Sequence, residues 1–251
     1  MVYDRIHLFC FTGLLLIFGL KAWLAQQPGM SQDAIKKPKN SYFWKFFTLG
    51  IFLDLVIMLA QVTYFPCTFI PWSAKLWRWI LWYTMSACFI AILEEGLFRG
   101  CLLLSLYRSI GRQGAIWISS LIFAYSHFYV PRAMDIPMSE VIWNSGFRMM
   151  YYHLGGIFWN FEAIPFVILL LMGIILSQLV FFYRSLIPAI GFHTGIVWAL
   201  MLYRKCVDVE MTLHPFLGTW RLLDAPMTLC ILLFVSCVLY YQARKKRVEV
   251  F

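Results

Sequence analysis

Charged residues are scarce in this sequence, and long hydrophobic stretches take their place. Charged side chains make up 13% of the 251 residues, whereas an average soluble domain has roughly 25%. Hydrophobic residues make up 62%, which is more apolar surface than one soluble core of this size can hide. The net charge of +9 lies in short basic stretches between apolar runs. This placement is typical of membrane topology signals and argues against a nucleic-acid partner.

Several short motifs are also missing. The seven cysteines form no CxxC pair, so we interpret most of them as packing residues in apolar runs. The first apolar run, about 6–25, lacks a clear A-x-A site and is expected to be a membrane span rather than a signal peptide. The sequence predicts one integral membrane domain, 1–251, with a motif-bearing core at about 84–204 and a basic tail at 243–251.

The apolar runs predict an all-α, polytopic membrane bundle of about seven or eight helices. About 20 apolar residues cross the roughly 30 Å of hydrocarbon as a helix, and a helix pairs its backbone groups within its own segment, as lipid requires. The predicted spans are about 6–25, 42–64, 84–107, 115–130, 164–183, 189–203 and 226–242. Basic residues favour the cytoplasmic side, so the tail is expected inside and the N-terminus outside. The expected location is a bacterial inner membrane.

Three charged residues fall inside the third predicted span, where a charge in lipid is costly and indicates function. Glu95 and Arg99 are four residues apart and can pair along one helix face. Glu94 is turned about 100° away from Glu95 and lacks that partner. A carboxylate held away from bulk water can take a proton from a bound water molecule. The alternative is a structural network in which these side chains lock neighbouring helices together.

Two histidines lie in other predicted spans. His127 stands near the end of the fourth span, where an interfacial hydrogen-bonding role is the alternative to catalysis. His193 lies well inside the sixth span between Gly191 and Gly195, and glycines allow close helix approach. A histidine at that depth needs a polar partner, for which a carboxylate on a neighbouring helix is the nearest class.

Two chemistries are open to the intramembrane carboxylates and histidines, namely Glu94, Glu95, His127 and His193. Two histidines and a carboxylate are a common set of zinc ligands. Alternatively, a glutamate activates water without a metal while the histidines orient the water and stabilise an oxyanion. The absence of HExxH disfavours a standard zinc protease, and the absence of GxSxG disfavours a serine protease. Asp54 is the only aspartate near the interior of a span, which argues against an aspartyl dyad.

Three sequence segments together resemble a known family. Glu94–Arg99 matches EExxxR, Phe123–His127 matches FxxxH, and His193 stands where a third motif histidine belongs. The chain is similar to the CAAX protease and bacteriocin-processing (Abi) family of glutamic-type intramembrane proteases, whose best-known branch is the type II CAAX prenyl endopeptidase. The resemblance implies an intramembrane endopeptidase that cleaves a membrane-anchored protein or peptide near a membrane surface, with a glutamate-activated water and no cofactor.

The resemblance also implies a role for each motif residue. Glu94 would be the base that activates the attacking water, and His127 would help to position that water. His193 would stabilise the tetrahedral oxyanion. Glu95 together with Arg99 would hold their helix in register.

One position departs from the family pattern. The family usually has an asparagine or aspartate four residues after the last histidine, and this chain has Val197 there. The departure removes one hydrogen-bond donor, worth about 2.7–4 kcal/mol where such a donor has been measured. Asn144 and Asn160 are candidate replacements; the other possibilities are that His193 acts alone or that this chain is a divergent branch of the family.

Three other functions remain open. A catalytically impaired membrane immunity or scaffold protein of the same fold would explain Val197. A metal-dependent intramembrane protease would use the same carboxylates and histidines. A transporter with Glu94 and Glu95 as a proton relay is disfavoured, because the sequence has no inverted repeat and no obvious pair of broken helices.

Overall fold

The structure is a computed structural model, and it describes residues 40–69, 74–127, 162–209, 216–218 and 225–248. Most of these residues are helical. The α-helices are α1 (Asn40–Tyr64), α2 (Ala74–Glu95), α3 (Leu104–His127), α4 (Ala163–Tyr183), α5 (Ile187–Cys206) and α6 (Pro226–Val248). A π-helical segment, Gly96–Leu103, joins α2 to α3 without a break. Two three-residue strands, β1 (Cys67–Phe69) and β2 (Val207–Val209), pair antiparallel.

The predicted all-α class is confirmed, whereas the number of seven or eight membrane helices stays a prediction. The first predicted span, 6–25, lies outside the described residues. Two described helical segments are long and apolar enough to cross a membrane, Ser41–Tyr64 and Ala163–Tyr183, and Pro226–Gln242 is a shorter apolar helix. The multi-pass topology and its orientation are therefore still expectations.

The third predicted span is part of a longer helix than expected. The helical backbone runs from Ala74 through the π segment to Ile110, so it includes part of the tryptophan-rich stretch before the span. Gly111 then interrupts the helix with φ 72° and ψ 179°, a conformation that side chains with a Cβ rarely adopt. The chain beyond Gly111 packs back on the π segment, where the Phe123 and Phe98 rings meet at 5.2 Å.

Helices α1 and α5 pack with their backbones almost in contact. A Cβ atom added at Gly191 would lie 2.5 Å from the Phe43 carbonyl oxygen. A Cβ atom at Gly195 would collide with the Phe47 carbonyl oxygen. Small residues let helices approach in this way because no side chain separates them. The predicted close approach at the glycines beside His193 is thus confirmed, and α1 is the helix that approaches.

Helix α4 lies at the centre of the apolar core. Its buried side chains include Ile168, Ile175, Leu176 and Leu179, and they pack with residues of α3, the π segment, α5 and α6. This burial explains why the helix is apolar on all sides rather than amphipathic. Helix α4 carries none of the motif residues, yet it packs against the π segment, α3 and α5, which carry Arg99, His127 and His193.

The two strands and a nearby polar contact were not expected from the sequence. Cys67 lies in β1, and Cys206 is the last residue of α5. The side chain of Gln61 donates to the Leu217 carbonyl at 3.1 Å and accepts from the Tyr203 hydroxyl at 3.2 Å. Strands of three residues are too short for an alternating pattern to reveal them.

Candidate active site

Glu95 lies at the centre of a buried polar cluster formed by three elements. Its Oε1 atom accepts a hydrogen bond from Nη1 of Arg99 at 3.0 Å and from Nδ1 of His193 at 2.8 Å. All three residues are buried. The i,i+4 pair of Glu95 and Arg99 was predicted and is confirmed, although Arg99 belongs to the π segment rather than to an α-helix. The bond to His193 joins α2 to α5.

Arg99 has two further kinds of contact besides Glu95. Its Nη2 atom donates to the Gly173 carbonyl oxygen on α4 at 3.3 Å. Its guanidinium carbon lies 4.3 Å from the centre of the Phe123 ring, close enough for a cation–π interaction. A buried cation needs such partners because desolvation is costly. Arg99 therefore connects α2 and the π segment with α3 and α4.

Glu94 faces both motif histidines at the same distance. Its Oε2 atom lies 3.9 Å from Nε2 of His127 and 3.9 Å from Nε2 of His193. These separations are too long for direct hydrogen bonds and suit one water molecule that bridges the groups. Oε2 is buried and has no hydrogen-bond partner among the described residues. The three side chains predicted to be catalytic thus converge on one place.

The side chains of Glu94 and Glu95 differ in their exposed fraction. The Glu94 side chain is 19% exposed and that of His127 is 30% exposed, whereas Glu95 is fully buried. The Glu94 side chain is therefore partly accessible, although its Oε2 atom is buried, while Glu95 is occupied by two hydrogen bonds. Glu94 is thus the more accessible of the two carboxylates, and Glu95 is the one held by hydrogen bonds.

The orientation of His127 is set by its own helix. Its Nδ1 atom lies 2.9 Å from the Phe123 carbonyl oxygen, which can only accept a hydrogen bond. In the neutral ring the proton is therefore on Nδ1, and Nε2 presents a lone pair toward Glu94. The hydroxyl of Ser126 donates to the same carbonyl at 2.7 Å and is 3.5 Å from Nδ1, at the limit of a hydrogen bond.

Phe123 has a role that sequence reasoning missed. Its ring contacts the guanidinium of Arg99, the ring of His127 at 4.5 Å, and the ring of His193 at 6.2 Å edge-on. The phenylalanine of FxxxH is therefore the apolar surface against which three polar groups are held. Its place in the motif was the available signal, but its contacts could not be derived from spacing.

Val197 stands at the position where the family usually has an asparagine or aspartate. Val197 is half-buried on α5, one turn after His193. Asn144 and Asn160, the candidate replacements, lie outside the described residues. The neighbouring Trp198 donates from Nε1 to the Thr84 hydroxyl at 2.8 Å, which ties α5 to α2 at this level.

The described residues contain no group of three or more His, Cys, Asp or Glu side chains placed to hold a metal ion. The 3.9 Å separations at Glu94 exceed the roughly 3.4 Å between two ligands of a tetrahedral zinc ion bound at about 2.0–2.1 Å.

Residues 76–199 match the family model described as "Type II CAAX prenyl endopeptidase Rce1-like". The matched segment contains the EExxxR and FxxxH motifs and His193. This segment, 124 of the 251 residues, is similar to the family. The Rce1-like family consists of membrane-integral proteases, so the match supports a peptidase activity and a membrane location. Comparison with curated proteins and with solved structures gives no match.

The Rce1-like segment extends from α2 to α5 and thus includes α4, although α4 has no motif residue. The resemblance inferred from the motifs is confirmed by this match. The match concerns the family and assigns no role to an individual side chain.

Proposed function

We propose that this protein is an intramembrane endopeptidase that hydrolyses a peptide bond of a membrane-anchored protein or peptide with a water activated by Glu94. The observation that carries the proposal is the position of Glu94 Oε2, 3.9 Å from Nε2 of both His127 and His193. A water held there contacts a base and two imidazoles. The Rce1-like match of residues 76–199 supports the reaction class.

Glu94 and His127 together orient the attacking water. The water donates one hydrogen to Glu94 Oε2 and the other to the Nε2 lone pair of His127. Its own oxygen lone pair then faces the scissile carbonyl carbon. As the C–O bond forms, Glu94 takes the proton, which is general-base catalysis.

His193 stabilises the oxygen that becomes negative. Its Nδ1–H is held by Glu95, so its free nitrogen, Nε2, can donate to the oxyanion when the ring is protonated. With both carboxylates ionised, Arg99 and a protonated His193 balance the charge of the cluster. A donor fixed in a buried site lowers the energy of the transition state because it needs no reorganisation during the reaction.

The reaction ends with transfer of the abstracted proton. When the tetrahedral intermediate collapses, the C–N bond breaks and protonated Glu94 gives its proton to the leaving amine. The net result is the addition of one water across the peptide bond. Glu94 returns to its ionised form, the proton of the new carboxylic acid passes to the amine, and the products leave as a carboxylate and an ammonium group.

A catalytically impaired scaffold of the same fold is the second candidate function. Val197 favours it, because the expected hydrogen-bond donor after His193 is absent from that position. The buried contacts among Glu95, Arg99 and His193 oppose it. A protein without catalysis gains little from a buried ionic cluster, which apolar side chains can often replace at no loss of stability.

The proposal is tested with purified protein in nanodiscs and quenched fluorescent peptides that end in a CAAX sequence, with and without a farnesyl group on the cysteine. Hydrolysis is expected for wild type and is expected to fall by about 10²–10⁴-fold in Glu94→Gln, the range for a general base. Glu162→Gln makes the same chemical change at the start of α4 and is expected to leave the rate unchanged.

Three outcomes contradict parts of the proposal. A Glu94→Gln protein as active as wild type excludes Glu94 as the base. Failure of wild type to cleave any peptide, lipidated or not, favours the scaffold. Loss of activity after treatment with 1,10-phenanthroline, with recovery on adding zinc, favours the metal-dependent alternative.

A further inference from the structure

We propose that Gly173 of α4 is a positioning residue for this reaction, because its carbonyl and its missing side chain hold Arg99 and, through Arg99, the pair of Glu95 and His193. The inference rests on the proposed function. Gly173 is in none of the motifs that identified the site. Its role follows from two observations at one residue: a hydrogen bond at its carbonyl and a close backbone contact at its Cα.

The carbonyl of Gly173 is one of two oxygens that hold the Arg99 guanidinium by hydrogen bonds in the described residues. It accepts from Nη2 at 3.3 Å, while Glu95 Oε1 accepts from Nη1 at 3.0 Å. Nε of Arg99 is buried without a partner there. The guanidinium plane is therefore fixed by α4 on one side and by Glu95 on the other.

The hydroxyl of Ser177 donates to the same Gly173 carbonyl at 2.8 Å from one turn further along α4. Ser177 is fully buried. A serine that bonds back to the carbonyl four residues earlier often bends its helix at that point. This bond therefore contributes to the orientation of the carbonyl toward Arg99.

The missing side chain of Gly173 lets α3 approach α4. A Cβ atom at Gly173 would lie 2.8 Å from Cβ, 3.0 Å from Cα and 3.1 Å from Oγ of Ser120. Ser120 precedes Phe123 by three residues on α3, so both lie on one face of the helix. An obstacle at Gly173 would therefore displace the Phe123 ring that lies 4.3 Å from the Arg99 guanidinium carbon.

A continuous chain of contacts thus runs from α4 to the reacting atoms. Gly173 bonds Arg99, Arg99 bonds Glu95, and Glu95 bonds His193, whose Nε2 lies 3.9 Å from Glu94. Misplacement of a catalytic group by about 1 Å can cost about 10²-fold in rate. A small displacement at Gly173 is therefore expected to lower the rate without removing any group that touches the substrate.

The test is Gly173→Ala, measured with the CAAX peptides in nanodiscs. We expect kcat to fall by about 10–100-fold while KM changes by less than about threefold, because the defect concerns transition-state stabilisation rather than substrate binding. Alanine favours helix more than glycine does, so helix propensity does not explain a loss. Gly114→Ala is the matched control, because the three atoms nearest its added Cβ all belong to the side chain of Ile110.

A compensating variant separates positioning from general damage. Ser120→Gly removes two of the three atoms that the new Cβ would meet, so Gly173→Ala/Ser120→Gly is expected to recover at least a third of the wild-type kcat. If Gly173→Ala does not fold, Ser120→Thr adds a methyl group from the other side of the same contact. It is expected to lower kcat about threefold or more, with KM nearly unchanged.

Two results overturn the inference. One is a wild-type kcat in folded Gly173→Ala. If that variant does not fold, a wild-type kcat in folded Ser120→Thr counts in the same way. The other is a loss that Ser120→Gly does not relieve at all. If Glu94→Gln remains active, the proposed function fails; if Glu94→Gln is inactive and Gly173→Ala is unaffected, only the role of Gly173 fails.

Discussion

His193 donates from Nδ1 to Oε1 of Glu95 across 2.8 Å, and this bond joins two helices at a buried position. The family resemblance assigned Glu95 to holding its own helix in register with Arg99. The structure adds an imidazole to the same carboxylate oxygen. A buried carboxylate that holds the Nδ1–H of a histidine fixes the ring orientation and leaves Nε2 for the chemistry, as in the catalytic triad of serine proteases.

Glu95→Gln is expected to lower kcat by at least about 10²-fold, because an amide cannot stabilise a protonated His193 as a carboxylate does. It is also expected to destabilise the protein by about 3–5 kcal/mol, since Arg99 would remain as a buried charge without its partner. Both effects are measured on one preparation by peptide hydrolysis and by thermal unfolding in detergent.

The double variant Glu95→Gln/Arg99→Met is the control for the stability effect. It removes both charges and is expected to be more stable than Glu95→Gln alone, while remaining as inactive. A Glu95→Gln protein with wild-type stability and wild-type kcat would contradict the orienting role of this carboxylate.

Val197→Asn is expected to raise activity. An asparagine one turn after His193 supplies the donor that the family usually has at this position, and such a donor is worth about 10²–10³-fold in kcat where it has been measured. The gain is measured as kcat with the CAAX peptides. Val197→Leu, which adds bulk without a donor, is the control.

The increase from Val197→Asn should disappear when Glu94→Gln is added, because both residues act on the same reaction. An unchanged kcat in folded Val197→Asn would mean that the oxyanion already has a second donor or does not approach this position.

His127→Gln is expected to lower kcat by about 10–100-fold with little change in KM, since His127 orients the water rather than the substrate. Ser126→Ala is the neighbouring control. It removes a hydroxyl that bonds the same Phe123 carbonyl, 3.5 Å from the imidazole, but leaves the imidazole itself in place. Equal losses in the two variants would indicate that the end of α3, and not the imidazole, is what the reaction requires.

Gly195→Ala is expected to lower the stability of the protein by about 1–3 kcal/mol, the usual range for adding a methyl group to a tight contact. Its Cβ would meet the backbone of Phe47, which cannot move aside as the end of a side chain can. Gly96→Ala is the matched control, because no atom lies within 4 Å of its added Cβ. Thermal unfolding in detergent measures the difference, and equal unfolding temperatures would contradict the close packing of α1 and α5.

Local features of the structure could be predicted from the sequence. The apolar runs indicated helices, because a helix satisfies its own backbone groups within a few residues. The pair of Glu95 and Arg99 followed from their four-residue spacing, and the close approach of a helix at Gly191 and Gly195 followed from the absence of side chains. The order of the motifs was enough to indicate the family, which the match of residues 76–199 confirms.

The contacts that build the site depend on residues far apart in the chain. The bond between Glu95 and His193 spans 98 positions, and the bond between Arg99 and Gly173 spans 74. Neither spacing nor hydropathy states which helix face meets which, because that choice depends on the packing of all the helices at once. The π segment could not be predicted either, because an apolar run has the same composition in an α-helix and in a π-helix.

The sequence by itself predicted the apolar helices, the costly polar residues within them and the family that they resemble. Only the tertiary structure decided that Glu94 faces both histidines while Glu95 holds one of them. Two adjacent residues of a helix point about 100° apart, so their different roles follow from what each direction meets. For Glu95 the partners are Arg99 and His193, and for Glu94 they are two imidazole nitrogens at the distance of a shared water.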